Sequence, residues 1–417
     1  MGTRNGIGIT AVGVAVLLAS LVPAAAGTPQ LGDAFAGTRF RITDLAVVSG
    51  VEVPVVAYNS RNNQYLVVWS DQRNSATRQN DIYGQLMKGD GTLIGVNFRI
   101  SGPGATGPEY PTAVAYNSVS NQYLVVWQDE RDGGYDIYGR RVKANGKVAG
   151  KEFRINGDVA SDPAVAHNPV TNQYLVVWRA GAIYGQRINA TGALVGGAFR
   201  ISGDAVAGNQ FSPEVVCNTA TGYYFVVWKD SRNGPTPWAY DVFGRRIKKS
   251  GIPAGSDFMV NEDDSGVANG ERPAVAYNSI RNQYMVLWED LRNYTTTMHD
   301  IYGRRVKARG RPLGGDVRVS GNPTPQEYEH QPVLAYDPAA DRYLVAWEVL
   351  GYGDRGIELY ARRVRGSGQP MGADKRVAGT RDDDKEPSVA YNSAAHEFLV
   401  VWSATGSTVI YGRRVNG

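Results

Sequence analysis

Four side chains could do chemistry together: Trp238, Glu271, His299 and His330. An imidazole near neutrality can take a proton from carbon or activate water, and a carboxylate can orient it. With an arginine to neutralise a uronate, such a set could serve a hydrolase or a polysaccharide lyase. Trp238 closes the stretch Gly-Pro-Thr-Pro-Trp at 234–238. A tryptophan held in a loop can be a carbohydrate platform or a protein anchor, or can simply pack on its neighbour. No Gly-x-Ser-x-Gly elbow, His-Glu-x-x-His zinc motif or phosphate-binding loop occurs, so no residue is assigned as catalytic or as a metal ligand. The four residues are assigned as ligand-binding.

The elements that must position them come from a repeat. Tryptophans 69, 127, 178, 228, 288, 347 and 402 recur about every 50 to 60 residues, and only Trp238 is out of register. Four short segments travel with each. They are Pro-x-Val-Ala-Tyr-Asn (273–278), Tyr-Leu-Val-Val-Trp (65–69), Asp-Ile-Tyr-Gly-Arg-Arg-Val (136–142) and Phe-Arg-Ile (98–100). Each is β-branched or aromatic and bounded by Gly, Asn, Asp or Pro, which predicts strands, termed A to D in that order. Strand B is apolar on both sides, so it must be covered on both faces. Strands A, B and C each occur seven times. The last repeat ends at strand C, and the missing D lies at the other end, as Phe40-Arg41-Ile42. A closed ring explains this displacement, because the N-terminal strand can complete the last blade and remove an exposed edge.

Seven four-stranded repeats with a displaced terminal strand resemble an all-β, seven-bladed β-propeller of antiparallel blades, its ring closed by the N-terminal strand. The Val-Ala-Tyr-Asn, Tyr-Leu-Val-Val-Trp and Asp-Ile-Tyr-Gly-Arg-Arg-Val phrases resemble repeats in secreted bacterial propeller proteins of poorly characterised function. The resemblance implies that strand A lines a central channel and that D is outermost. It also implies that the B–C and D–A loops share one face, on which Trp238, Glu271, His299 and His330 would gather. The A–B connections are near-uniform, whereas B–C connections vary from almost nothing after Trp178 to long loops before Tyr240 and His299. The variable face is the candidate for binding.

The remaining polar signals read as scaffolding. Trp-x-Asp-x-Arg followed by a further Asp recurs with Asp71/Arg73/Asp81, Asp129/Arg131/Asp136, Asp230/Arg232/Asp241 and Asp290/Arg292/Asp300. An arginine between two carboxylates can tie a hairpin end. The Arg-Arg pairs 140/141, 245/246, 304/305, 362/363 and 413/414 suggest cross-strand pairing within blades. Acidic runs at 129–132, 262–264 and 382–384 lack the Asp-x-Asp-x-Asp-Gly order, so no cofactor is required; calcium is the cation they could take. Cys217 and His167 replace a strand A tyrosine and read as core, and His396 falls in an A–B turn.

Composition bounds the partners. Lys+Arg is 44 against Asp+Glu 40, a net +4 spread evenly, which argues against a nucleic-acid surface. One cysteine excludes an internal disulfide framework. Residues 1–26 read as a cleaved signal peptide, with Arg4, an apolar stretch over 7–22 and Ala24-Ala25-Ala26, leaving no membrane span in the mature protein. Residues 27–39 then form a linker, which could contact a second copy, and 40–417 the propeller. The expectation is a secreted or cell-surface, non-enzymatic scaffold for a protein or glycan. The alternative is a hydrolase or lyase at the channel mouth.

Overall fold

The computed structural model describes residues 36–43, 50–74, 80–102, 109–131, 133–157, 159–203, 209–234, 239–262, 270–321, 327–351, 356–379, 383–404 and 409–417. The expected signal peptide, most of the linker, and Trp238 lie outside them. The described strands form seven four-stranded antiparallel sheets arranged as the blades of a β-propeller. Blade 1 is A (Val51–Asn59), B (Gln64–Asp71), C (Asp81–Lys88) and D (Leu93–Arg99), and the same order recurs to blade 6.

Blade 7 takes strands A to C from the C-terminal end of the chain (Asp384–Asn392, Glu397–Ala404, Val409–Asn416) and its fourth strand from Phe40–Arg41. Phe40 pairs with Gly412 and Arg41 with Tyr411. Ile42 continues the ladder, its N–H donating to the Ile410 carbonyl at 2.8 Å. Ile42 is fully buried in a cluster that joins Trp69 and Val67 of blade 1 to Leu399 and Val401 of blade 7.

Strand B carries the load of packing. Its residues alternate toward the two neighbouring blades, so Leu66 and Val68 meet Tyr123, Val125 and Trp127 of blade 2. Six of the seven register tryptophans are fully buried. Burying an indole removes about 150–250 Å² from water, worth roughly 4–6 kcal/mol at about 25 cal/mol per Å². Strand D is mostly exposed, as an outer edge should be.

Polar staples complete the ring. On the A–B side, Asn59 and its equivalents Asn117, Asn168, Asn218, Asn278 and Asn392 are buried. Asn117 Oδ1 accepts from the N–H groups of Val119 and Ser120, and its amide donates to Asn172 Oδ1 of the next blade at 2.8 Å. Asn59 reaches Asn121, Asn218 reaches Asn282 and Asn392 reaches Asn63 in the same way.

The repeated Trp-x-Asp-x-Arg set is structural. Asp71 accepts from Trp69 Nε1 at 2.9 Å and is held bidentately by Arg73, whose guanidinium lies 4.0 Å from the Tyr83 ring centre. The further Asp does not join that arginine. Asp136 pairs with Arg154 at 2.8 Å, and Asp81 and Asp300 pair with Arg99 and Arg318. The Arg-Arg pairs make the expected cross-strand contacts within blades, as Arg140 to the Gly150 carbonyl (3.1 Å) and Arg414 to Glu397 (3.1 Å), and add one between blades. The first arginine of each reaches back to a main-chain carbonyl of the preceding blade, as Arg140 to Ile100 (2.7 Å) and Arg304 to Val260 (2.9 Å). Carbonyls at the end of an outer strand need donors, and a long guanidinium from the adjacent blade supplies them.

Candidate functional site

Strand A enters the channel through a β-bulge. In blade 1 the register shifts between Glu52 and Val55, and equivalent shifts occur in every blade. The residue before the strand A proline takes a left-handed conformation: Val53, Asp162, Ser212, Arg272, Gln331 and Glu386 have φ between 46° and 58°. None is glycine or asparagine, the residues that adopt this conformation most cheaply. Each of these six residues lines the channel mouth or sits at its rim, and bulges of this kind re-aim side chains.

Neighbouring blades secure the bulges. Glu289 Oε1 accepts from Gln331 N–H at 2.7 Å, Glu348 Oε1 from Glu386 N–H at 2.5 Å, and Glu386 Oε2 from Val53 N–H at 2.7 Å. Just outside the bulge, strand A pairs with the residue that follows the register tryptophan. These pairs are Glu52–Ser70, Tyr110–Gln128, Ser161–Arg179, Phe211–Lys229, Glu271–Glu289, His330–Glu348 and Lys385–Ser403. No pair repeats another, although the strands that carry them are copies.

Two clusters stand out on this rim. Across blades 3 to 5, Lys229 donates to Glu271 Oε2 at 3.0 Å and lies 4.5 Å from the Tyr240 ring centre. Arg179 lies 4.0 Å from the ring centre of Phe211, which meets Tyr240 edge-on. Across blades 5 and 6, His330 Nδ1 is 3.1 Å and His299 Nδ1 3.7 Å from Glu289 Oε2. The two imidazole centres are 4.8 Å apart, and Tyr328 stacks parallel to His330. Glu289 terminates the apolar run of strand B (Gln283–Asp290). His299 follows a four-residue helical turn, Tyr294–Thr297, and its carbonyl accepts from Glu329 N–H. His330 lies within strand A of blade 6 (Tyr328–Asp337).

Burial alone would raise the Glu289 carboxyl, but the two imidazoles, the charge of His330 and the Gln331 N–H outweigh it and bring it down to about 2. These contacts favour the ionised carboxylate, which faces both imidazoles. His299 and His330 thus come together as expected. Glu271 does not join them: its carboxylate is turned to Lys229, and Glu289 takes the place foreseen for it. Glu289 was hidden by its position directly after Trp288. The usable signal was that this position reads Ser, Gln, Arg, Lys, Glu, Glu, Ser around the ring while its neighbours repeat.

Deeper in the channel, Glu214 stands where other blades have Val55, Ala113, Ala164, Ala274, Val333 and Ser388. Its side chain is exposed to the open channel, and desolvation by the surrounding strands raises its pKa to about 7. The other reactive residues are structural. Cys217 is buried and its thiol is pushed up to about 12 by burial. His167 is brought down to about 4 by burial, and His396 accepts the left-handed turn position and contacts the Tyr391 hydroxyl at 3.0 Å. In the acidic runs, Asp129 serves Trp127 and Arg131, Asp384 serves Trp402, and Glu262 serves Arg304.

Neither a protein-family model nor a curated protein sequence matches the chain. Solved structures match in shape. The β-propeller domain of the Trilobed protease from Pyrococcus furiosus, described as having an open velcro topology, gives a TM-score of 0.52 at 7% identity over 88% of this chain and 93% of that one. The Dos1 propeller gives 0.51 at 8% identity over 91% and 94%. A prolyl endopeptidase gives 0.50 at 12% identity over 86% of this chain and 46% of that one. Likeness at these identities shows the propeller fold alone.

Proposed function

We propose that the chain is an extracellular, non-enzymatic propeller that binds a carbohydrate or protein through its channel mouth. One observation carries the reading: a scaffold that repeats itself elsewhere holds six strained, dissimilar residues and seven dissimilar cross-strand pairs on this one rim. Strain of about 1 kcal/mol or more per residue persists where the side chains it displays have a use. The rim is polar, with hydrogen-bonding groups beside the aromatic faces of Phe211, Tyr240 and Tyr328. That mixture suits a hydrated ligand such as a glycan better than a greasy peptide. Export rests on the apolar 7–22 stretch and the Ala24–Ala26 site, and N-terminal sequencing of the mature protein would check it.

The test is a glycan array followed by affinity measurement with Phe211→Ala, Lys229→Ala and Trp238→Ala. At least about tenfold weakening by Phe211→Ala and Lys229→Ala on the rim is expected, the size of one lost aromatic or charged contact. Unchanged affinity in both would remove this rim from consideration, and unchanged affinity in Trp238→Ala would remove that residue from the proposal. A second reading, a hydrolase or lyase, is favoured by the contact of His299 and His330 with a carboxylate. Release of reducing ends or unsaturated sugars by wild-type protein, lost in His330→Ala, would establish it over the binding reading.

A further inference from the structure

We infer that Glu289, His299 and His330 form a binding site for one first-row divalent cation of the zinc class. Their ligand atoms all lie within 4.8 Å of one another. Two ligand atoms each about 2.1 Å from a tetrahedral ion sit about 3.4 Å apart. The Glu289 Oε2 separations of 3.1 Å from His330 Nδ1 and 3.7 Å from His299 Nδ1 straddle that edge length. Two imidazoles and one carboxylate are the borderline donor set that zinc and its neighbours prefer, whereas calcium and magnesium want oxygen alone.

The surroundings are those of a prepared ligand set. Glu289 is buried, and its other oxygen is occupied by Gln331 N–H at 2.7 Å and approached by Arg272 Nε at 3.5 Å. Oε2 is left facing both imidazoles. An outer hydrogen bond that fixes one carboxylate oxygen and frees the other is how a one-oxygen metal ligand is held. Hydrogen bonding alone leaves this cluster incomplete: His299 Nδ1 is buried and has no hydrogen-bond partner. A cation between the three atoms would satisfy His299, His330 and Oε2 at once. The His299 and His330 side chains are 17% and 25% exposed, so solvent can reach the remaining position of a tetrahedral ion. Water or a ligand oxygen could bind there. Glu289 and His299 belong to blade 5 and His330 to blade 6, so the ion would also pin two blades. The site stands whether or not the rim binds a glycan.

The test uses the whole chain, stripped with chelator and titrated with Co²⁺ as a coloured probe and Zn²⁺ as competitor. One equivalent of Co²⁺ should bind with the intense visible bands of a four-coordinate site, and Zn²⁺ should displace it and raise the melting temperature. His299→Ala and His330→Ala should each weaken binding by about 100-fold or more, and Glu289→Gln by about 10- to 100-fold. His167→Asn and His396→Asn should bind as wild type. His330→Gln, which keeps size and polarity, should lose binding while melting like wild type in chelator, separating ligation from folding. Absence of stoichiometric Co²⁺ binding by the stripped wild type overturns the inference, whatever the variants do. So does wild-type affinity in the His299→Ala/His330→Ala double variant.

Discussion

The two faces of the ring solve the same backbone problem with different residues. At its repeated position, the A–B turn or the strand A bulge, each has six non-glycine residues in the left-handed conformation among those described. On the A–B side they are Asn63, Asn121, Asn172, Asn282, Asp341 and His396, at φ between 46° and 54°. Asn and Asp tolerate that geometry, and their side-chain oxygens accept from the buried asparagine of the preceding blade. At the channel mouth the residues are Val, Asp, Ser, Arg, Gln and Glu, chosen without regard to the conformation. One face is optimised for the ring. The other holds unlike side chains in a strained conformation, the pattern expected if the mouth binds a ligand as proposed.

Removing residues 27–45 tests the ring that both faces depend on. It takes away the pairing of Phe40 and Arg41 and the buried Ile42, and it bares the edge of blade 7. Burial of the two apolar side chains and the ladder bonds is worth about 5 kcal/mol, so thermal unfolding should begin far earlier and aggregation should follow. Native melting would contradict the closure.

Asn117→Ala probes the A–B face. It strands the N–H groups of Val119 and Ser120 and cuts the bond to Asn172, so urea unfolding should show a loss of about 1–2 kcal/mol. Ligand binding should not change. Val53→Gly probes the mouth in the opposite sense. A β-branched residue at φ 50° is replaced by one at ease there, and stability should rise by about 1 kcal/mol. Asn63→Gly removes the acceptor of Asn392 and of the Tyr58 hydroxyl, so it should instead lower stability by about 1 kcal/mol. Equal responses at the two positions would erase the contrast between faces.

A further test is one of pH. Glu214 holds its proton in the folded channel up to about pH 7, against an ordinary value near 4.5. The folded state therefore binds more protons than the unfolded chain between those values, and its stability falls as pH rises through that window. Melting temperatures measured from pH 4.5 to 8 should decline less in Glu214→Gln than in wild type. Parallel profiles would mean that the carboxyl is freely hydrated.

The fold was legible because its signals are written seven times. The register tryptophans and the displaced Phe40-Arg41-Ile42 strand imply blades and closure without any knowledge of contacts. What a single repeat could not reveal was traffic between blades. Arg140 satisfies Ile100 some forty residues away, and Glu289 secures Gln331 across a blade boundary. Reading each repeat as self-contained finds the arginine contacts within blades but not those between them, and it places Glu271 where Glu289 meets the two histidines. The bulge was equally hidden, since Val53, Arg272 and Gln331 share nothing but a following proline.

Hydrogen–deuterium exchange of the whole chain, with and without a glycan or protein identified as its ligand, tests the division of labour between faces most directly. Protection is expected at the start of strand A and the end of strand B, around 50–54, 209–214, 270–274, 288–290 and 328–332, with the A–B turns at 59–64 and 278–283 unchanged. Protection confined to the A–B turns, with the mouth unaffected, would contradict it.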